Sequence, residues 1–473
     1  MNNHGKQLKS NAFNITVTTC IQLLQTYFLA KILGPDQYGV LGIILLFYGF
    51  SLCIQDLGLN NAIVQSKKDI GRKTVFKAYF VLALILLGFN ILFLSTVFYF
   101  SSLDLTSYIP YLCLLLFFQT LGSSFYTLLQ REVKFFEIAR SEVISVSLGF
   151  AVILILLNSG FGIRSYLIGL TFSAFLRLLL FFFSSKKIIN ICEYGNVSNV
   201  FKTNIQFSIY QIFERIFNFG SARAEHFVIA FYLGPEVYGL YFFCWNLIIQ
   251  PITKIIPMFT RVIYPVLCKD VREGKKNFIY LIFNTRKSIL LLAIPFLIGL
   301  NSTSSEILTI FFDDDWSNAV QILQIISLIF CFRVTFDTLN MIYLATGNSK
   351  SSFSWNVIQL IINTSVIVLI ILLFGKESYL TGILLSSVLL FFIELKKILK
   401  FIPFSSYLKS IKSPIISSII MLIILNVVFY KPYDVDILWI FLSKIIISLI
   451  VYFGSLKLFF KYSFKELLLK DLL

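Results

Sequence analysis

"LGPDQYG", Leu33–Gly39, and "LGPEVYG", Leu233–Gly239, stand 200 residues apart. Five of the seven positions match, and a sixth exchanges Asp36 for Glu236. Pro holds the backbone and Gly relieves it, so each heptapeptide reads as a turn at the exit from an apolar segment. The likeness extends backwards. Asn11, Asn14, Thr18, Gln22 and Gln25 recur at three and four, which places them on one face of a helix. Gln211, Glu214, Asn218, Ser221 and Glu225 do the same before the second turn. An offset of 200 sets Asn11 on Gln211, Asn14 on Glu214, Thr18 on Asn218 and Gln25 on Glu225; Gln22 meets Ala222, a mismatch. One stripe is neutral and the other ionisable.

The chain around these turns is strongly apolar. Of 473 residues, 58% are hydrophobic and 14% charged, with a mean hydropathy of +0.85. A soluble chain carries about 25% charged residues. Apolar runs of about 20 residues, the span of a bilayer core, recur along the whole length. Fourteen spans are expected, at 11–33, 40–62, 76–100, 108–130, 141–158, 163–184, 206–232, 239–265, 284–301, 318–345, 352–374, 378–398, 412–430 and 437–459. Pro295 interrupts the ninth. The fold class is an all-α polytopic membrane protein. The first run is long enough to span and follows a polar, basic decapeptide, so no cleaved signal peptide is expected.

The net charge is +16. It gathers in alternate loops, which argues against nucleic acid as the partner. Lys67, Lys68, Arg72 and Lys73 follow the second span; Lys269, Arg272, Lys275, Lys276, Arg286 and Lys287 follow the eighth. Loops after odd spans carry few cations, such as Lys31, Arg164, Lys376 and Lys431. The positive-inside rule then places both termini in the cytoplasm, and an even span count agrees. Seven scattered cysteines, none at CxxC spacing, read as apolar filler. Two histidines, His4 and His226, argue against a His-based metal site. No cofactor is expected beyond a coupling ion, H+ or Na+. The Walker A pattern is missing, which argues against ATP drive from this chain.

The repeat predicts two six-helix lobes, at 1–190 and 200–400, with two further helices at 405–473. The offset joins span one to span seven, an even shift, so the halves run parallel about an axis along the membrane normal. Polar stripes are unfavourable against lipid. Asn14, Thr18, Gln22, Gln25 and Asn218 are therefore expected to line a shared central cleft or to hydrogen-bond between helices.

Specific stretches resemble Wzx-type polysaccharide flippases. "LAKILGPDQYGVLGIILLFYGFSLCIQDLGLNNAIVQ", residues 29–65, is similar to the opening of that family, through its Leu-Gly-Pro turn and the "DLGL" at Asp56–Leu59. "EHFVIAFYLGPEVYGLYFFCWNLIIQPITKIIPMFTRVIYPVL", residues 225–267, resembles its seventh and eighth helices, and "FFDDDWSNAVQILQIIS", residues 311–327, the loop before its tenth. The family belongs to the multidrug/oligosaccharidyl-lipid/polysaccharide exporter superfamily. The resemblance implies a two-lobed transporter that moves an undecaprenyl-diphosphate-linked oligosaccharide to the outer leaflet of the bacterial cytoplasmic membrane. It would work beside the polymerase and glycosyltransferases of a surface-polysaccharide pathway (O-antigen, lipopolysaccharide or capsule). In relatives the two extra helices can form a groove for the lipid tail.

Charges inside spans cost about 2.5–3.5 kcal/mol each and call for partners. Arg215, Arg223, Lys254 and Arg333 are candidate contacts for an anionic diphosphate headgroup, which guanidinium grips in bidentate fashion. Glu214, Glu225 and Asp337 are candidate ion-coupling sites. Arg333 and Asp337 are four apart, a spacing that permits a pair on one helix face. His226 points about 100° away from Glu225 and reads as a packed histidine. Arg261 and Lys444 are read as snorkelling. A small-molecule or multidrug antiporter of the same superfamily is the alternative; it would have twelve helices and a cavity dominated by acids. An enzyme is disfavoured: the only acidic cluster, Asp313–Asp315, lies in a short loop without a nucleotide-binding domain.

Overall fold

The computed structural model describes residues 2–55, 59–60, 63, 72–100, 105–132, 134–185, 197–273, 278–429 and 436–460. Of the candidate residues, Asn14 and Asp337 lie outside those whose side chains are described, as does Arg261.

Among the described residues the chain folds into helices. The first, α1 (Asn2–Ile54), is 53 residues long but is broken at Gly34, with φ 71° and ψ 171°. Only glycine adopts that conformation readily. An unbroken helix of this length would measure about 80 Å, far beyond a hydrocarbon core of about 30 Å. Gly34 therefore divides α1 into two crossings. Space does not demand the glycine, since a Cβ there would meet no atom within 4 Å. Between α6 (Val197–Leu233) and α7 (Pro235–Glu273), Gly234 repeats the device with φ 87°. Pro235 opens α7, where a missing N–H costs nothing.

Twelve helical segments among the described residues are long and apolar enough to cross a membrane. One of them, Val17–Ile54, holds the Gly34 break and makes two crossings. α6 is long enough but carries Glu214, Arg215, Arg223 and Glu225. Counting both, fourteen crossings lie among the described residues, the number that hydropathy predicts.

The chain divides into two compact units, Met1–Gly220 and Ser221–Leu473, and the division falls inside α6. In the first unit α2 (Arg72–Phe100) packs on α3 (Ile109–Arg131), α3 on α5 (Ile163–Ser185), and α5 on α4 (Phe135–Asn158). α4 and α5 cross at two glycines. A Cβ on Gly149 would lie 2.7 Å from Ser173 Cβ, and one on Gly169 would lie 3.0 Å from the Gly149 carbonyl oxygen. Tyr79, Leu82, Phe125, Leu129 and Phe181 fill the core beside them.

The second unit repeats that order. α8 (Phe278–Ser302) packs on α10 (Ala319–Arg333), α10 on α13 (Tyr379–Ile398), and α13 on α12 (Ser349–Phe374). α12 and α13 also meet closely at a glycine, where a Cβ on Gly382 would lie 3.1 Å from Ile367 Cα. The short α9 (Ser304–Phe311) follows α8, and α11 (Phe336–Ala345) continues the path of α10 after a break.

Two more helices complete the second unit. α14 (Phe404–Val428) packs on α8, and α15 (Ile437–Phe460) packs mainly on α14. Met421, Leu425, Tyr452, Leu456 and Leu291 form their shared core, and the Tyr452 hydroxyl donates to the Leu291 carbonyl at 2.8 Å. Lys444 does not snorkel. Its ammonium donates to Glu306 Oε1 at 2.6 Å and to the Ser302 carbonyl at 3.0 Å. A carboxylate within reach on α9 is a better partner for a half-buried cation than a headgroup reached through lipid.

Candidate functional site

α10 ends at Arg333, two turn residues follow, and α11 begins at Phe336. The Val334 amide closes the last turn on the Phe330 carbonyl at 3.0 Å, and the Thr335 hydroxyl donates to the Phe332 carbonyl at 2.9 Å. A cation is favoured at the C-terminal end of a helix. Arg333 occupies that end.

Its partner comes from α6. Arg333 Nη1 donates to Glu225 Oε1 at 2.8 Å and Nη2 to Glu225 Oε2 at 2.6 Å, a bidentate grip. The third donor, Nε, meets the Ser387 hydroxyl of α13 at 2.9 Å. Ser387 in turn donates to the Ile383 carbonyl at 2.8 Å. Glu225 is 2% exposed and Arg333 15%. The Tyr241 hydroxyl of α7 lies beside the same carboxylate. Four helices, α6, α7, α10 and α13, thus converge on one ion pair, and Arg333 keeps a small accessible edge. The i, i+4 spacing of Arg333 and Asp337 permits a pair on one helix face, and the Asp337 side chain lies outside those described.

Two residues before Glu225, Arg223 stacks over the Trp245 ring with its guanidinium carbon 4.0 Å from the centroid. Its Nη1 lies 3.4 Å from His226 Nε2, and His226 Nδ1 lies 3.2 Å from the Tyr238 hydroxyl. Arginine has only donors, so Nε2 accepts and Nδ1 carries the proton toward Tyr238. His226 is fully buried among Tyr238, Tyr241, Phe242 and Trp245. It is a packed histidine that braces Arg223.

Lys254 is half-buried on α7. Glu214, Arg215 and Asn218 belong to the first unit, with Glu214 and Asn218 exposed and Arg215 half-buried. On α1, Gln25 is buried, Thr18 half-buried and Gln22 exposed. The neutral stripe is therefore not uniformly covered.

Sequence reasoning missed a second buried ion pair. Arg286 of α8 donates from Nη1 to Glu394 Oε1 of α13 at 3.0 Å and from Nη2 to the Tyr407 hydroxyl of α14 at 2.9 Å. The side chains of Arg286 and Glu394 are 1% and 0% exposed. In sequence Arg286 reads as part of a basic loop, because its neighbours are Lys287 and the cations after the eighth span. Glu394, 108 residues away, gives no local signal that it will arrive beside it.

A family model described as polysaccharide biosynthesis protein matches residues 28–321. The lipopolysaccharide biosynthesis protein WzxC of Escherichia coli (strain K12) is 24% identical over 406 residues, covering 83% of this chain and 80% of that one. A membrane protein in the cps region of Klebsiella pneumoniae is 25% identical over 365 residues, covering 76% of this chain and 74% of that one. Among solved structures, the lipid II flippase MurJ in an inward closed conformation has a TM-score of 0.74 and 19% identity, over 96% of this chain and 98% of that one. At that identity the likeness shows the fold.

Proposed function

The chain belongs to the polysaccharide biosynthesis protein family, and from that premise we propose that it carries an undecaprenyl-diphosphate-linked oligosaccharide across the bacterial cytoplasmic membrane. The observation that carries this reading is the bidentate Glu225–Arg333 pair at a broken membrane helix. Arg333 presents to Glu225 the two parallel donors that a diphosphate also fits. In the resting state the carboxylate neutralises the guanidinium. When the headgroup arrives, its phosphate oxygens take the two Nη donors and displace Glu225. The freed carboxylate then takes up a proton or a monovalent cation, so that no bare charge stays inside the membrane. Return of Arg333 to Glu225 expels that ion and resets the site. Substrate and ion thus exchange at one guanidinium, which links transport to an ion gradient by alternating access.

Arg223, held over Trp245, is a second anion contact, and Arg215 and Lys254 are further cations along the substrate path. Glu214 and Asp337 are additional coupling positions. The polar residues Asn14, Thr18, Gln22, Gln25 and Asn218 face the sugar path. The lobes at 1–190 and 200–400 supply the path, with 405–473 as an added pair. Both termini are cytoplasmic, on the charge of alternate loops. The protein is a transporter and not an enzyme, and it serves the polymerase and glycosyltransferases of a surface-polysaccharide pathway.

Proteoliposomes loaded with a fluorescent undecaprenyl-diphosphate oligosaccharide test the reading. Arg333→Lys keeps the charge but loses the second tooth, and it lowers transport at least tenfold. Glu225→Gln transports at a rate that no longer responds to an imposed proton or sodium gradient. Wild-type rates in both variants remove the pair from the mechanism. Movement of organic cations in place of the lipid-linked sugar would assign the chain to the antiporters.

A further inference from the structure

The two buried ion pairs of the second unit are built differently. Arg333 and Glu225 meet through two parallel hydrogen bonds, and the remaining Nε is met by Ser387. Arg286 and Glu394 share one hydrogen bond. Among the described residues, Arg286 Nε and Glu394 Oε2 have no hydrogen-bond partner although both atoms are buried. Tyr407 adds its hydroxyl at 2.9 Å and its ring, whose centroid lies 4.3 Å from the guanidinium carbon. Each of the three side chains stands on a different helix, α8, α13 and α14.

A half-satisfied buried ion pair is a poor stabilising device. Well-packed apolar side chains of similar volume serve as well or better. What the ionic arrangement does provide is direction: it accepts one relative placement of three helices and penalises others. The placement matters because α14 joins the bulk of the unit through α8, and α15 packs mainly on α14. At the opposite end of the pair, Lys444 and Glu306 tie α15 to α9. Arg286 lies near the start of α8, Glu394 near the end of α13 and Tyr407 near the start of α14, so the three mark one end of the unit.

We infer that Arg286, Glu394 and Tyr407 form an ionic clasp that positions α14, and with it the C-terminal helix pair, on the second unit, and that its charge is needed for turnover rather than for folding. The unpartnered Nε and Oε2 give the clasp unused hydrogen-bonding capacity, so the pair can shift its grip as the helices move without losing every partner. An apolar contact at the same place would hold one position only. The turnover part of this inference rests on the transport reading above; the positioning part does not.

Three variants in the full-length protein separate these roles. Glu394→Gln leaves Arg286 buried beside a neutral amide; hydrogen exchange over Phe404–Ser410 rises at least tenfold and transport falls at least tenfold. The apolar pair Arg286→Met with Glu394→Leu keeps hydrogen exchange at the wild-type level and melts no earlier than wild type, yet transport stays at least tenfold low. Tyr407→Phe keeps the ring and loses the hydroxyl, and lowers transport two- to fivefold. Wild-type transport in the apolar pair overturns the charge requirement. Unchanged exchange over Phe404–Ser410 in Glu394→Gln overturns the positioning role. Wild-type protein that moves no lipid-linked oligosaccharide refutes the transport reading alone, because the exchange measurement still reports on the clasp.

Discussion

The two units pack their helices in the same order, and described side-chain hydrogen bonds join helices within each. In the first unit the Tyr48 hydroxyl donates to Gln119 Oε1 at 2.7 Å, Tyr79 shares a hydrogen bond with Thr127 at 3.1 Å, and Arg177 meets the Ser145 hydroxyl at 3.4 Å. In the second, among the described residues, three ion pairs join helices: Glu225 with Arg333, Arg286 with Glu394, and Glu306 with Lys444. A neutral hydrogen bond contributes about 1 kcal/mol net and can be lost cheaply. A buried ion pair is costly to break because the surviving charge has no water to turn to. The ion pairs of the second unit are therefore places where a change of ionic partner has consequences.

The sharpest test of that contrast is a matched pair of truncations. Arg333→Ala strands Glu225 and should cost about 3–5 kcal/mol, with transport lost, whereas Gln119→Ala should cost about 1 kcal/mol and leave transport intact. Thermal melting of the detergent-solubilised proteins, with proteoliposome assays, reads both. Equal damage from the two would erase the distinction between the units.

The turns predict parity where the ion pairs predict asymmetry. Gly34→Val and Gly234→Val each force a side chain into a glycine-only backbone, at about 1–3 kcal/mol. Melting shifts should be alike, since both sites have room for a Cβ. A large effect at one turn and none at the other would mean that the repeated heptapeptide is not one structural device.

Smaller effects sharpen the picture further. Glu225→Gln keeps the shape of the carboxylate and should slow transport about tenfold, equivalent to about 1.4 kcal/mol of barrier, while the protein still folds; single-turnover rates with and without an ion gradient read it. Tyr48→Phe removes the donor to Gln119 and should cost about 1 kcal/mol with no change in rate. A transport defect in Tyr48→Phe would place functional chemistry in the first unit as well.

Much of the fold was legible. The span count follows from hydropathy, and the Leu-Gly-Pro heptapeptide marked both glycine breaks. Glu225 and Arg333 were each singled out as charges inside spans. Their pairing was not, because 108 residues separate them. Arg286 was hidden by its company. Among so many loop cations it looked like one more, and only Glu394 and Tyr407 reveal it as buried. Ser387 carries no signal at all, since one serine in an apolar helix is indistinguishable from the others.

Sequence alone determined that this chain spans a membrane about fourteen times, repeats its plan at an offset of 200 residues, and loads its second half with ionisable groups. These are local properties: transfer free energy sums along a segment, and a turn is a matter of a few backbone angles. Only the tertiary structure decided which charges meet. An ion pair depends on which helix faces lie together over a few ångströms, and that is set by packing between distant segments, at glycine crossings such as Gly149–Gly169 and at helix breaks such as the one after Arg333.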